Sequence, residues 1–201
     1  PPDLKELHNA QVAGKPVDRT AFAKRVREAV AEVVKKQLAC GLDIINDGEV
    51  GKSNFSRYAR ERLSGFVERD AKPDDRVSTI FARDLVEFAD YFNQRSVHRG
   101  DNVKRVFCNA PLKYIGHASL KAEIEDFKAG LQRQKYEEPF LPAIAPGTIE
   151  HWMKNDYYPN DEAYVVAIAD AMHEEYKAIV DAGFLLQIDD PDLPDGWQFM
   201  S

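Results

Sequence analysis

Residues 183–197, GFLLQIDDPDLPDGW, run from an apolar segment directly into a cluster of aspartates. A segment at 37–49, QLACGLDIINDGE, has the same order of features, with Gly41 corresponding to Gly183 and Asp47 to Asp189, 142 residues later. Each copy shows the end of a helix, a glycine stop, an apolar strand and a carboxylate. Helical and strand patterns alternate at least four times between short joints. That alternation is typical of parallel β/α architecture.

The pattern of apolar residues predicts the secondary structure between these two segments. Helices are expected over 18–40, 52–66, 81–93, 120–135 (with Ser119 as its cap) and 161–182. Strands are expected over 42–49, within 104–115, over 139–152 and over 183–189, the third one broken by prolines and ending in a loop. Residues 67–79 are polar and predict a loop.

The absence of phosphate-binding glycine motifs helps to choose between the two common parallel folds. The sequence contains neither GxGxxG nor a Walker loop, which argues against a nucleotide-binding open sheet. A (β/α)8 (TIM) barrel needs about 250 residues. This chain has 201 residues, with about four β/α units and no strand before its first predicted helix. We therefore expect residues 1–201 to be part of a single catalytic (β/α)8 barrel domain, with its first and last strands missing.

Composition excludes several classes of protein. The net charge is −7 and the pI about 5.3, which argues against a nucleic-acid binder or a protein of anionic membranes. No apolar run reaches transmembrane length, and the N-terminal residues show no signal-peptide core. The two cysteines, Cys40 and Cys108, are expected to be core thiols and not a disulfide framework. The expected location is the cytoplasm.

Carboxylates follow both copies of the repeated strand. Asp47 and Glu49 end the first copy, and Asp189 and Asp190 end the second. The carboxyl ends of parallel strands face the active site in this architecture. Such carboxylates can act as acid and base, hold a substrate amine or bind a metal, and the alternative is helix capping and loop solvation. We take Glu49 and Asp189 as the site candidates; Asp192 and Asp195 are expected to be turn residues.

A second group of candidates combines aromatic and basic side chains. The segment APGTIEHWMKNDYYPND carries His151, Trp152, Tyr157 and Tyr158, which either stack on a planar ligand or form a packed lid. The arginines that follow Glu49 either bind an anion or, as we favour, form a solvated helix face; they are Arg57, Arg60 and Arg62. The histidines show no HxxxH or HxH spacing, so no internal zinc site is predicted.

Three of these segments resemble one known family. GLDIINDGE, APGTIEHW and AGFLLQIDDPDL are similar, in this order, to the Gly-Glu strand end, the P-x-T-I-x-x-W loop and the Q-I-D-E-P strand end of cobalamin-independent methionine synthase. The resemblance is to its C-terminal catalytic barrel and extends from about residue 18 to 196. The shorter, single-barrel members of the family are the more similar ones.

The resemblance implies a methyltransferase of the 5-methyltetrahydropteroyltriglutamate–homocysteine type. Such an enzyme moves a methyl group from 5-methyltetrahydrofolate to a zinc-bound homocysteine thiolate and produces methionine. By resemblance, Glu49 and Asp189 hold the substrate ammonium group and Trp152 stacks on the pterin ring. Asp190 stands where the family usually has Glu. The family's zinc ligands would lie beyond Ser201, so none is expected in this chain.

Two other functions remain open at this stage. One is a zinc-dependent thiol transferase of the epoxyalkane–coenzyme M type, which shares the thiolate chemistry but does not need pterin stacking. The other is a non-catalytic half-barrel that binds a partner, which would leave costly exposed sheet edges. The expected partners are the small molecules homocysteine and methyl-folate, without nucleic acid or membrane, and a homo-oligomer is left open. The segment VGKSNFSRYARERLSGF differs from the large synthases, so the methyl donor is not determined by the sequence.

Overall fold

The computed structural model describes residues 1–52, 54–70, 86–91 and 104–193. Within these residues the chain forms two three-stranded sheets and six named helices. The helices are α1 (Pro2–Val12), α2 (Arg19–Ala39), α3 (Phe55–Arg62), α4 (His117–Leu131), α5 (Pro146–Trp152) and α6 (Asp161–Asp181). The strands are β1 (Ile44–Ile45), β2 (Phe66–Asp70), β3 (Lys104–Cys108), β4 (Glu138–Ile144), β5 (Met153–Asn155) and β6 (Leu185–Asp189).

The first sheet has the parallel topology that the repeat predicts. Its strand order is β1-β4-β6, and both pairings are parallel. Ile45 lies opposite Pro139, and Ile144 lies opposite Asp189 at the other end of β4. Helices α5 and α6 separate β4 from β6 in the sequence. The described residues thus confirm an α/β fold in which parallel strands alternate with helices, and this sheet does not close on itself.

The two long helices begin and end as the sequence predicts. The Asp18 side chain accepts hydrogen bonds from the backbone N–H groups of Thr20 and Ala21, and Asn160 accepts one from Ala163. At the other ends, Gly41 has a φ of 81° and Gly183 a φ of 89°. Both glycines occupy the left-handed region that stops a helix, so the repeat is also present in the backbone.

The core lies between the first sheet and helices α2, α4 and α6. Ile45 and Leu141 of the sheet and Phe127 of α4 are fully buried. Burial of each such large side chain contributes about 1.5–3 kcal/mol to folding. Helix α2 approaches α4 closely, because a Cβ at Gly130 would come within 3.4 Å of the Ala31 Cα. Other core side chains come from one face of α6; they are Tyr164, Ile168, Met172 and Ile179.

The second sheet contradicts one prediction, and one of its strands is shorter than predicted. Residues 66–70 form β2 and pair antiparallel with β3, although the sequence predicts the end of a helix at Phe66 and a loop from Val67. The guanidinium group of Arg69 lies 3.3 Å from the Phe107 ring centroid, so a polar sequence still packs on an apolar strand. The strand expected within 104–115 ends at Cys108 and joins this sheet, where it also pairs parallel with β5.

Four helices differ from what the sequence predicts. Helix α1 was not predicted; buried Leu4 anchors it, and Arg25 of α2 donates to Asp3 at 2.5 Å. The predicted helix 52–66 is the shorter α3. Helix α4 begins at His117, so Ser119 is inside it and is not its cap. The loop expected after β4 is helix α5, with Pro146 at its first position.

One predicted helix lies mostly outside the described residues. Of 81–93, only 86–91 are described, and they are helical on both sides of a turn at Phe88. Asp195 also lies outside the described residues. Among the described helices, none combines the length and the apolar character that crossing a lipid bilayer requires.

Candidate functional site

A cavity of about 190 Å³ lies at the carboxyl edge of the first sheet. Its walls combine residues that follow β1, the last residues of β4 and the last residue of β6. The lining residues are Glu49, Lys52, Asn54, Tyr58, Pro142, Ala143, Ile144 and Asp189. The structure therefore brings together the two carboxylates that the sequence predicts as site residues. Trp152 does not line this cavity.

Glu49 has an unusual backbone conformation. Its φ is 51°, and it follows Gly48, whose φ is 67°. A residue with a Cβ in this left-handed region costs about 1–2 kcal/mol, so the surrounding contacts must hold it there. The Glu49 N–H donates to Asp47 Oδ1 at 3.0 Å, and the Glu49 carbonyl accepts from the Lys52 N–H at 2.9 Å. Strain that the surroundings maintain in this way is typical of functional sites.

Asp189 presents a negative charge that no described cation neutralises. It is the last residue of β6, and its backbone carbonyl accepts a hydrogen bond from the Ala145 N–H at 3.0 Å. Asp189 lines the cavity together with Pro142, Ala143 and Ile144. The ion pairs among the described residues near this cavity involve other carboxylates, those of Glu49, Glu123 and Glu175. A half-buried, uncompensated carboxylate attracts a cationic ligand group.

Lys52 connects the cavity to a buried ionic cluster. Its ammonium group lies 3.3 Å from Glu49 Oε1 and 3.1 Å from Glu123 Oε1, and it donates to the Pro142 carbonyl at 2.8 Å. Burial alone would lower the pKa of Lys52, but the charges of Glu123, Asp47 and Glu49 raise that pKa above its ordinary value. Lys52 therefore stays charged and holds one oxygen of Glu49 in place.

Deeper in the protein, the same cluster surrounds Glu175 of α6. Glu175 is fully buried. Its carboxylate accepts hydrogen bonds from the hydroxyls of Tyr58 and Tyr114, the latter at 2.6 Å, and lies 3.7 Å from Arg62 Nε. Arg62 also donates to Glu123 Oε2 at 2.6 Å. Burial and then the charge of Glu175 raise the pKa of Tyr58 well above its ordinary value, so this phenol remains a donor.

The cluster carries more negative than positive charge. Four of its members are carboxylic acids and two are cations: Asp47, Glu49, Glu123 and Glu175 against Lys52 and Arg62. Asp47 is 2% exposed. Burial, followed by the charge of Glu123, raises the pKa of Asp47 to about 6. Glu49 and Lys52 of this cluster also line the cavity, so its excess of negative charge favours cations there.

The aspartates that follow β6 hold helix α5 against the sheet. The Thr148 hydroxyl donates to Asp190 Oδ1 at 3.0 Å, and Thr148 is buried. The Trp152 indole N–H donates to Asp192 Oδ2 at 3.0 Å. Asp190 and Asp192 thus contact the beginning and the end of α5. Asp192 lies in a turn, as predicted, and it also has a side-chain partner that the sequence did not indicate.

The three candidate arginines of α3 separate into two kinds. Arg57 pairs with Glu61 and Arg60 with Glu68, each at 2.6 Å on the surface, which agrees with a solvated face. For Arg62 that prediction is wrong, because its side chain is only 5% exposed and belongs to the buried cluster.

Several site residues were missed at the sequence level, among them Lys52, Tyr58, Glu123 and Glu175. Glu175 had a detectable signal, since it continues the apolar face of α6 at a helical spacing from Met172 and Ile179. A carboxylate on a buried helix face requires partners. No signal of this kind identified the other three.

A metal site is not evident in the described part of the chain. No group of three or more His, Cys, Asp or Glu side chains among the described residues is arranged to hold a metal ion. The thiol of Cys108 is buried, as expected, but the prediction of a core thiol is wrong for Cys40, which is exposed directly after α2.

Comparisons with known proteins identify distant relatives over nearly the whole chain. The methionine synthase of Pyrococcus furiosus is 24% identical over 189 residues, and that of Sulfolobus acidocaldarius is 25% identical over the same length. In both cases the match covers 94% of this chain and 48% of the relative. The chain thus spans about half the length of the curated relatives that it matches. No family model matches the sequence.

Solved structures show the same relationship at the level of the fold. A putative vitamin-B12-independent methionine synthase from Listeria monocytogenes superposes with a TM-score of 0.62 at 16% identity, over 98% of this chain and 50% of that one. A B12-independent methionine synthase from a Shewanella species, in complex with selenomethionine, superposes with a TM-score of 0.59 at 16% identity. That match covers 92% of this chain and 48% of the other one. The resemblance is confirmed: over most of its length the chain is a distant homologue of cobalamin-independent methionine synthase.

Replacing Arg62 by Met tests the buried cluster. The substitution leaves Glu175 and Glu123 without their shared cation, so we expect the free energy of unfolding to fall by about 3–5 kcal/mol. Arg57→Met, in the same helix but on the surface, should cost no more than about 0.5 kcal/mol. Urea denaturation of both variants measures the difference. Equal losses would contradict the role assigned to Arg62.

Replacing Asp47 by Asn tests the raised pKa of that carboxyl. A carboxyl whose pKa is higher in the folded than in the unfolded state contributes stability at low pH, and this contribution disappears as the pH rises through about 6. Asn keeps an acceptor for the Glu49 N–H but does not titrate. The free energy of unfolding of Asp47→Asn, relative to that of the wild type, should therefore rise by about 1–2 kcal/mol from pH 5 to pH 8. Urea denaturation at both pH values measures this, and a pH-independent difference would be the contrary result.

Proposed function

We propose that this chain supplies the amino-acid-binding part of a methyltransferase that moves a methyl group from 5-methyltetrahydrofolate to homocysteine and produces methionine. The observation that carries the proposal is the cavity shared by Glu49 and Asp189 at the carboxyl edge of the parallel sheet. The distant homology to methionine synthases supports the reaction class. We also propose that residues 1–201 belong to one catalytic (β/α)8 barrel domain.

The substrate ammonium group is proposed to bind between Glu49 and Asp189. Lys52 occupies one oxygen of Glu49, while the Asp189 carboxylate has no described cationic partner. A ligand ammonium would supply the missing positive charge through charge-assisted hydrogen bonds. Pro142, Ala143 and Ile144 offer an apolar wall for the aliphatic part of the amino acid. This arrangement fixes the orientation of the substrate, so its thiol end points away from the two carboxylates.

The pterin ring is proposed to stack on Trp152. This indole is 52% exposed and lies at the end of α5. Helix α5 directly follows β4, whose last residues line the cavity. A half-exposed tryptophan offers a large, flat and rigid surface to a planar ligand. His151 packs against its edge, with ring centroids 5.5 Å apart and an interplanar angle of 79°. The accessibility of Trp152 and its place on α5 support the stacking role.

The zinc ion that the resemblance implies does not fit the described residues. A bound zinc lowers the pKa of a thiol, so that a thiolate nucleophile exists at neutral pH. Among residues 1–52, 54–70, 86–91 and 104–193 no three potential ligands are arranged to hold it. The chemistry derived for these residues is therefore limited to binding and orienting the substrates and to holding the charge of the site.

Neutralising each carboxylate separately tests the proposal. Glu49→Gln and Asp189→Asn preserve side-chain size but remove the negative charge, so we expect each to weaken homocysteine binding about tenfold. Isothermal titration calorimetry of the full-length gene product measures the affinity. Glu61→Gln, which removes a surface carboxylate paired with Arg57, is the matched control and should leave the affinity unchanged. Unchanged affinity in both site variants would overturn the proposed amino-acid site.

A further inference from the structure

The indole N–H of Trp152 has a charged acceptor, the carboxylate of Asp192, near the end of the described residues. Trp152 Nε1 donates to Asp192 Oδ2 at 3.0 Å, across 40 residues. Trp152 is the last residue of α5, and Asp192 lies in the turn after β6. A hydrogen bond to a carboxylate is stronger and more directional than one to a neutral acceptor. This bond therefore constrains the side-chain torsions of an otherwise half-exposed ring.

The segment that carries Asp192 is itself firmly connected to α5. The Asp189 carbonyl accepts from the Ala145 N–H at 3.0 Å, just before the helix. Asp190 Oδ1 accepts from Thr148 at 3.0 Å in the first helical turn. The Leu193 N–H donates to the Asp190 carbonyl at 3.3 Å and closes the turn that carries Asp192. Asp192 is thus fixed relative to Asp189, one of the two proposed substrate-binding carboxylates.

This geometry connects the orientation of the indole to the amino-acid site. Fixing a binding side chain before the ligand arrives reduces the conformational entropy lost on binding. Because Asp189 and Asp192 belong to one short segment, the indole orientation is set relative to the end of β6. Asp192 itself does not line the cavity, so we place its contribution in the bond to Trp152.

We infer that Asp192 is a positioning residue, which holds the Trp152 ring in the orientation that stacks on a planar methyl donor. The inference rests on the proposed function, because it requires Trp152 to contact the ligand. Asp192 acts through Trp152 and does not itself touch the reacting atoms.

The test uses the full-length gene product in a Trp197→Phe background, so that Trp152 is the only tryptophan of the 201 residues that still contributes fluorescence. Asp192→Ala should lower the fluorescence anisotropy of Trp152 without ligand, because the ring gains torsional freedom. It should also weaken binding of 5-methyltetrahydrofolate about five- to tenfold. Asp192→Asn keeps an oxygen acceptor and should retain most of the anisotropy and of the affinity. Leu193→Ala, at a neighbour that is 75% exposed, should change neither.

The outcomes separate this inference from the proposed function. If Asp192→Ala changes neither anisotropy nor affinity while Trp152→Ala weakens binding, the positioning role is overturned and the proposed function stands. If Trp152→Ala also leaves 5-methyltetrahydrofolate binding unchanged, pterin stacking is overturned and the inference with it; this result would favour the coenzyme M type of thiol transfer. If Asp192→Asn retains the anisotropy and the affinity while Asp192→Ala loses them, the result supports the inference, since a general structural defect would affect both variants.

Discussion

The ion pair between Arg62 and the carboxylates of Glu175 and Glu123 is the interaction on which the site depends. It places a guanidinium group and a fully buried carboxylate between helices α3, α4 and α6. Removing such charges from water costs several kcal/mol, which only good geometry and additional hydrogen bonds offset. Tyr58 and Tyr114 supply those bonds to Glu175, and the Gly116 carbonyl and Ser119 supply acceptors to Arg62. The helices are therefore held in one arrangement.

This buried cluster determines the properties of the cavity above it. Glu123 connects Arg62 to Lys52, and Lys52 contacts Glu49, so the position of the Glu49 carboxylate depends on a chain of ion pairs that begins at Glu175. The left-handed backbone of Glu49 adds strain of the kind that clusters at functional sites. Asp189, on the other side of the cavity, lacks a described cation. Together these features support the proposal that the cavity binds a cationic group.

Part of this account could be predicted from the sequence because it depends on local signals. Helices α2 and α6 follow from apolar periodicity, capping residues and terminal glycines, and the repeat around Gly41 and Gly183 implied parallel strands. Since parallel strands end at the same edge, Glu49 and Asp189 could be expected to lie together. That expectation needed no knowledge of tertiary contacts, and both residues line one cavity.

The remaining features depend on contacts between distant segments. Arg62 resembles its surface neighbours Arg57 and Arg60 in the sequence, and only the packing of α3 on α4 and α6 reveals that it is buried. Strand β2 was mistaken for a loop because its sequence is polar. Its charges are compensated by partners outside the strand, with Arg60 of α3 on Glu68 and Asp156 on Arg69. The bond between Trp152 and Asp192 joins the end of helix α5 to the turn after β6, and no periodicity in the sequence indicates that these two segments are in contact.

We propose that Glu49 and Asp189 bind the ammonium group of an amino acid. The most direct measurement compares the affinity of the full-length gene product for homocysteine with that for 4-mercaptobutanoate, which keeps the thiol and the carboxylate but lacks the amine. We expect homocysteine to bind at least about tenfold more tightly, a difference of about 1.4 kcal/mol, and Glu49→Gln combined with Asp189→Asn to abolish the preference. Equal affinity of the unaltered protein for both compounds would show that the two carboxylates do not bind the amine.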